Sequence, residues 1–485
     1  MAEPIDDTIL DVADRLLPWV VPIFLAVVFA LGGPTLDVTA TDEWMQLVAL
    51  PVLLLAGTAL LVDPPRARLT RAAMLAALAI ACVPLLQLLP LPSSLRAMPD
   101  ARAALAVDLA SAGVDTPARW SLAPEATLRS LLALLPALAC FFGVIALGPG
   151  RLQRVPQVLV CLVLANLVFG FVQVGLPPDS PLRLYPELGN GFGGVLVNEN
   201  HQGTALLIGM LLSLGLWART RRQAVEGEPH KLRHHLWPVA AFTCVGALPL
   251  SGSRAATVIA LVTATLAVAA TGLLPLHRLR QSRRAAAGAV LAVTLVALGS
   301  VSALRWMQVD ALEGDRRAMA VETIAVAQRY APLGSGIGNF VDVFAQEAAW
   351  TPTFQHGKYI NHAHNEYAQW WMTGGVPAIA VLALALGVLA WAGTAVLREG
   401  RRHPDAAASW LAVLAVLAHS VVDYPLRTLS LMSTSASLAA LAVVLGAAAL
   451  REKPRSPGLF ETHSPESADH EPVQTFAGPA DDAPA

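Results

Sequence analysis

Uninterrupted apolar stretches of about twenty residues recur along the chain, and they leave few folds open. Each matches the ~30 Å hydrocarbon layer of a bilayer at the rise of an α-helix. Inside a membrane the backbone must satisfy its own hydrogen bonds, so a span is a helix or a strand of a closed barrel. Barrel strands alternate apolar and polar residues, whereas these stretches are continuous Leu/Ala/Val runs. The fold class is therefore an all-α polytopic membrane protein with about twelve transmembrane helices. Spans are predicted near 16–33, 45–62, 72–91, 127–146, 156–175, 199–217, 237–250, 252–273, 287–304, 376–397, 407–424 and 427–449. Composition agrees, since 55% of the 485 residues are hydrophobic and 14% charged, against about 25% charged in soluble domains. One core cannot hide that much apolar surface.

Basic residues occupy alternate loops. They are Arg66, Arg68 and Arg71; Arg151 and Arg154; Arg219, Arg221, Arg222, Lys231 and Arg233; Arg278, Arg280, Arg283 and Arg284; Arg398, Arg401 and Arg402; and Arg451, Lys453 and Arg455. With Arg15 this puts 21 of the 33 Lys and Arg on one side. Positive charge collects on the cytoplasmic side, so both termini are expected there, in an inner (plasma) membrane. The opening MAEPIDD is acidic and the first apolar run has no convincing small-residue cleavage site, unlike a cleaved signal peptide. Cys82, Cys140, Cys161 and Cys244 all fall in predicted spans and point to neither disulfides nor a metal cluster. A net charge of -2 implies no nucleic-acid partner.

The expected organisation is nine spans over residues 1–304, a small helical periplasmic domain over 305–375, three further spans over 376–450, and a tail over 451–485. Loops 92–126 and 176–198 also face outward. Within 305–375, Arg316 to Arg329 has helical periodicity, Pro332 to Gly338 breaks it, and a second helix starts near His362. The tail is rich in Pro, Ser, Asp and Glu with few large apolar residues, and reads as disordered. No internal repeat is visible.

Five constellations carry candidate chemistry. In LPLSGSRAATVIA the chain must turn, because one helix over 237–273 would run roughly 55 Å. The first arm, about 14 residues, is short for a crossing. Arg254 then opens the second arm, where the helix dipole adds positive potential to its own charge. That suits an anion, while for a lone arginine at a helix end snorkelling to headgroups is the simpler explanation. Arg316 and Arg317 form a second basic pair that suits phosphate or a solvated face. The YAPLGSGIGNF that follows lacks the Lys-Ser/Thr of a phosphate loop and no strand precedes it, so it reads as a tight turn.

The third constellation is NHAHNEYAQWW. A neutral histidine at a membrane boundary is suited to accept a proton near pH 7, with Asn365, Glu366 and Gln369 orienting it or binding polar substrate groups. A zinc site from His356, His362, His364 and Glu366 is conceivable, but they lack the spacing of a zinc motif, and on spacing alone a merely solvated histidine cluster is the alternative. Trp370 and Trp371 fit an interfacial belt. The fourth is VNENH, where Asn198, Glu199, Asn200 and His201 enter a span and Asn198 suits an N-cap. In the fifth, HSVVDYPLR, His419 lies in a span, and Asp423 and Arg427 are expected to pair with each other.

Taken in order, VNENH, SGSRAA, Arg317 fifteen residues before Pro332 in PLGSGIGNF, HAHNEYAQ and HSVVDYPLR resemble the O-antigen ligase/polymerase family of bacterial surface polysaccharides. The resemblance covers roughly residues 190–440. It implies a metal-independent membrane glycosyltransferase, without cofactor, acting at the periplasmic face. The implied donor is an undecaprenyl-diphosphate-linked glycan, and the acceptor is glycan or lipid A-core. Membrane lipids and a chain-length regulator are the other implied partners. Arg254 matches the arginine of the family's Ser-Arg-Gly-Ala-like motif, with Ala255 where glycine is usual. Arg317 matches the second arginine, with Val321 where tryptophan is frequent. His364 matches the histidine that resembles a catalytic base. By extension Arg254, Arg317 and Arg316 contact diphosphate, while Asn198, Asn200, His201, Ser253, Asn365, Glu366 and Gln369 support substrate.

The paired VNENH and HSVVDYPLR motifs resemble polymerases of O-antigen or exopolysaccharide repeat units; the alternative is a ligase transferring glycan to lipid A-core. A polysaccharide or lipid transporter is the reading from another class. It predicts repeated halves and polar groups at the midplane, and here the polar groups gather at one face. A non-catalytic scaffold would need no convergence of arginine and histidine.

Overall fold

A computed structural model describes residues 3–34, 40–115, 119–177, 179–184, 192–225, 231–273, 311–349 and 360–451. The ninth predicted span at 287–304, the arginines 278–284, His356 and the tail beyond Arg451 lie outside these residues. All described elements are helical, and the described residues contain no strand. The helices of eight or more residues are α1 (Glu3–Leu31), α2 (Ala40–Val62), α3 (Arg68–Gln87), α4 (Asp100–Ser111), α5 (Pro124–Leu132), α6 (Leu134–Ala146), α7 (Arg154–Gly175) and α8 (Glu199–Val225). They continue with α9 (Lys231–Ala247), α10 (Arg254–Ala270), α11 (Ala311–Tyr330), α12 (Phe340–Glu347), α13 (Glu366–Glu399), α14 (Pro404–His419) and α15 (Leu429–Ala449).

Among the described residues eight helical stretches are long and apolar enough to cross a membrane, with α5 and α6 forming one of them. Three shorter apolar helices, His235–Ser251, Arg254–Ala270 and Pro404–His419, match three more predicted spans. The chain is a multi-pass membrane protein.

Helix α8 is the axis of the bundle, with 89% of its apolar window buried. Small residues make that possible, because without a hydrophobic force between helices close backbone approach drives packing. A Cβ on Gly203 would lie 2.7 Å from Ser253 Cβ, and one on Gly215 would lie 2.5 Å from Ala408 Cβ. The basic connections gather at one end. There Arg219 pairs with Asp405 at 2.8 Å, Arg222 donates to the Arg402 carbonyl at 3.0 Å and Arg221 to the Leu273 carbonyl at 3.1 Å.

A second, smaller core lies apart from the main one. Met319, Val326, Tyr330, Phe340, Phe344 and Met372 form it, together with Ala101 from α4. The glycine loop between α11 and α12 runs beside it and is stitched on both sides. Ile337 N–H donates to Gln87 Oε1 at 2.8 Å, and Gln87 Nε2 donates to the Thr373 carbonyl at 3.0 Å. Arg102 donates to the Gly334 carbonyl at 2.8 Å and also to the Trp120 carbonyl; burial lowers its guanidinium to about 10, still charged at neutral pH. Helix α13 breaks at Gly375 (φ 61°, ψ -155°), so the Val376 N–H turns outward to the Pro332 carbonyl at 2.8 Å. Pro377 follows, and its ring favours a kink there. A loop with these ties is the tight turn that its sequence suggested.

Candidate active site

The histidine loop precedes α13, and three side chains fix it. Asn365 caps the helix, its Oδ1 accepting from Ala368 N–H at 2.9 Å. Gln369 reaches back from the first turn: Oε1 accepts from Ala363 N–H at 3.1 Å and Nε2 donates to His362 Nδ1 at 3.2 Å. Glu366 is buried and binds the loop after α14, accepting from Leu426 N–H at 2.8 Å and Ser420 Oγ at 3.2 Å. These side chains, candidates for substrate contact in the sequence, are engaged in holding two loops together.

The same ties overturn the expected Asp423–Arg427 pair. Residues 420–428 do not form an α-helix, so a spacing of four does not bring the two charges together. Arg427 Nε lies 3.7 Å from Glu366 Oε2 instead. Asp423 Oδ1 lies 3.6 Å from His364 Nδ1 and accepts from Tyr424 N–H at 2.8 Å. Burial on its own would raise the Asp423 carboxyl. The His364 ring, with His201 and His419 close by, outweighs that and holds it below the usual carboxylate range.

Among the described residues two non-glycines have positive φ, His364 (49°) and Val197 (64°). Such backbone is strained for a side chain bearing Cβ and persists where its surroundings over-determine it. Both residues belong to the candidate motifs, and the two motifs meet at Tyr424. Its ring centroid lies 4.8 Å from that of His364, 4.6 Å from His362 and 5.3 Å from His201. Burial, reinforced by Arg427 and the other two histidines, keeps His362 well below the ordinary histidine range and therefore neutral.

Helix α8 supplies the other wall. Asn198 caps it, accepting from Asn200 N–H at 2.8 Å, and its side chain also acts on the Tyr424 phenol. His201 is fully buried, and neither ring nitrogen has a hydrogen-bond partner among the described residues. One turn on, Thr204 Oγ1 shares a 2.7 Å hydrogen bond with His419 Nδ1. Between them Gly203 faces Ser253 and Ala256, so the SGSR turn packs directly beside the histidines. In that turn Gly252 is left-handed, Ser253 accepts from Ala256 N–H, and half-buried Arg254 opens α10. Arg316, half-buried on α11, is close enough to act electrostatically on Tyr424 and His419, whereas Arg317 is exposed.

His201, His362, His364, Asn198 and Arg316 thus converge, with Arg254 on the adjoining turn. Reading the sequence alone missed Tyr424, Thr204 and the partner of Asp423. Only the proximity of HSVVDYPLR to a span end hinted at them. No group of three or more His, Cys, Asp or Glu among the described residues is arranged to hold a metal ion.

The family model of the O-antigen ligases matches residues 239–383, which take in the SGSR turn, α11, the glycine loop and the histidine loop. Over that segment the chain is similar to the O-antigen ligase family. A search of the curated proteins found no match. The family points to ligase- or polymerase-type function, that is, a membrane enzyme transferring glycan between lipid-linked and acceptor substrates. His201, Asp423 and Tyr424 lie outside the matched O-antigen ligase segment; Asp423 and Tyr424 contact its His364, and His201 packs on Tyr424.

Proposed function

We propose that this protein is an inner-membrane glycosyltransferase that works at the periplasmic face on undecaprenyl-diphosphate-linked oligosaccharide, and that it polymerises repeat units. The observation that carries the reading is His364, held at φ 49° with Nδ1 turned to buried Asp423 at 3.6 Å. A carboxylate facing Nδ1 favours the tautomer with its proton there, leaving Nε2 as the acceptor. His364 takes the proton of the acceptor hydroxyl as that oxygen attacks the anomeric carbon. The new glycosidic bond forms while the carbon–oxygen bond to diphosphate breaks, and undecaprenyl diphosphate leaves with the electron pair. Arg254, Arg316 and Arg317 are the charges available to stabilise it, by fixed electrostatics. Direct displacement inverts the anomeric centre; a covalent glycosyl-enzyme or retained configuration would exclude it. The gathering of polar groups at one end of the bundle supports transfer over transport.

The ligase remains the second reading, favoured by the description of the matched family. His364→Ala in the native host, with glycan length read on a gel and protein level by immunoblot, tests both. Loss of long glycan with the protein present supports the transferase. Single repeats capped onto lipid A-core then mark a polymerase, and unligated lipid-linked polymer marks a ligase. Unchanged glycan would remove His364 as the base.

A further inference from the structure

We infer that Tyr424 is a positioning residue, whose ring sets the orientation of the His364 imidazole relative to the start of α8. The inference rests on the reading of His364 as the base and extends it.

The His364–Asp423 contact is too long to be a hydrogen bond, and His364 Nδ1 has no hydrogen-bond partner among the described residues. Asp423 therefore does not by itself fix the plane of the ring. Tyr424 meets that ring edge-on at an interplanar angle of 71°, one of the favoured geometries for aromatic pairs. The tyrosine is itself immobilised. It is 6% exposed, its N–H is tied to Asp423 Oδ1, and its phenol faces Asn198 and Asn361. It also packs on His362 and, at 85°, on His201. One side chain thus joins the first turn of α8 to both histidines of the loop, so a displacement of α8 reaches His364 through it. Burial, with the Asp423 charge beside it, pushes the phenol up to about 12, so it stays protonated and does not compete as a base.

Full-length protein in proteoliposomes, supplied with undecaprenyl-diphosphate-linked repeat unit extracted from a strain lacking it, tests the inference. Tyr424→Phe keeps the ring and is expected to keep most of the wild-type kcat. Tyr424→Leu removes the ring, and kcat is expected to fall roughly 100-fold, the cost of misplacing a reacting group by about 1 Å, with KM for the donor unchanged. Melting curves in detergent report folding, and Tyr424→Met takes the place of the leucine variant should that one not fold. Wild-type kcat in a folded variant without the ring overturns the inference. So does a Phe variant as impaired as the Leu variant, or a rise in KM alone, because then the hydroxyl or the substrate contact matters instead of the ring. His364→Ala is assayed alongside. If it is inactive while Tyr424→Leu is normal, only the inference fails; if it is active, the base reading fails and the inference with it.

Discussion

The glycine loop Pro332–Gly338 and the histidine loop Asn361–Asn365 dock on the same helix, one at its kink and one at its start, on opposite terms. Around the glycine loop nearly every polar group is paired: Gln87 spans both strands of chain, Ser335 Oγ donates to Asn339 Oδ1 at 2.8 Å, and Thr127 Oγ1 donates to the Ile337 carbonyl at 2.6 Å. Arg102 Nε is the exception there. Around the histidine loop the exceptions accumulate. Both nitrogens of His201, His364 Nδ1, Asp423 Oδ2, and Arg427 Nε and Nη2 are buried without hydrogen-bond partners among the described residues. Each such group costs about 1–3 kcal/mol, and natural folds keep few of them without a functional reason. The glycine-rich stretch, which looks more like a ligand loop on paper, is a fastener. The less regular loop concentrates the strain.

This contrast can be broken most decisively at His364. His364→Ala is expected to lower kcat by about 100- to 10,000-fold while the melting temperature holds or rises. A fall in melting temperature as large as the glycine-loop variants show would erase the distinction. Next comes Gly375→Val. A Cβ there would lie 2.3 Å from the Pro332 carbonyl oxygen at a φ of 61°, so stability is expected to drop by about 3 kcal/mol or more with activity per folded molecule retained. Arg102→Gln should cost about 2–3 kcal/mol by stripping charged donors from the loop carbonyls, again seen in melting and not in kcat. Asn365→Ala should cost about 1 kcal/mol through the lost cap, and Asn365→Ser should restore it; a folded but inactive Ser variant would show that Asn365 touches substrate.

The last effect concerns pH. His362 is held neutral with its folded value depressed, so its contribution to stability is complete above the unfolded value of about 6.5 and is lost as pH falls toward the folded value. The unfolding free energy should therefore decline on acidification from 6.5, by up to about 1.4 kcal/mol per pH unit from this group, with Tm falling alongside. His362→Gln should flatten that part of the curve.

The spans that fall among the described residues and the turn at Pro249–Arg254 were legible because hydropathy and length act locally. Helix α3 ends at Gln87, short of the predicted 91, because the Gln87 side chain is drawn to the glycine loop 250 residues away in sequence. The same limit explains Asp423. A carboxylate four residues before an arginine reads as a helical pair, and nothing local shows that the segment unwinds and each charge reaches across to the start of α13. Tyr424 was illegible for a related reason. One aromatic near a span end looks like an interfacial anchor, until three imidazoles from two distant segments are found around it.

The three short helices have a consequence for the bilayer itself. Seventeen residues in Arg254–Ala270 extend only about 25 Å at 1.5 Å per residue, below the ~30 Å of an average hydrocarbon layer. Helix α10 packs against both α14 and α8, so the short spans adjoin the candidate site. Local thinning is one response of a membrane to such a mismatch, and it would draw the headgroup plane down beside Arg254 and His419. Under the function proposed above, a lipid-borne phosphate in that leaflet would then descend toward the site with its surroundings, and the protein would have less lifting of the isoprenoid chain to do.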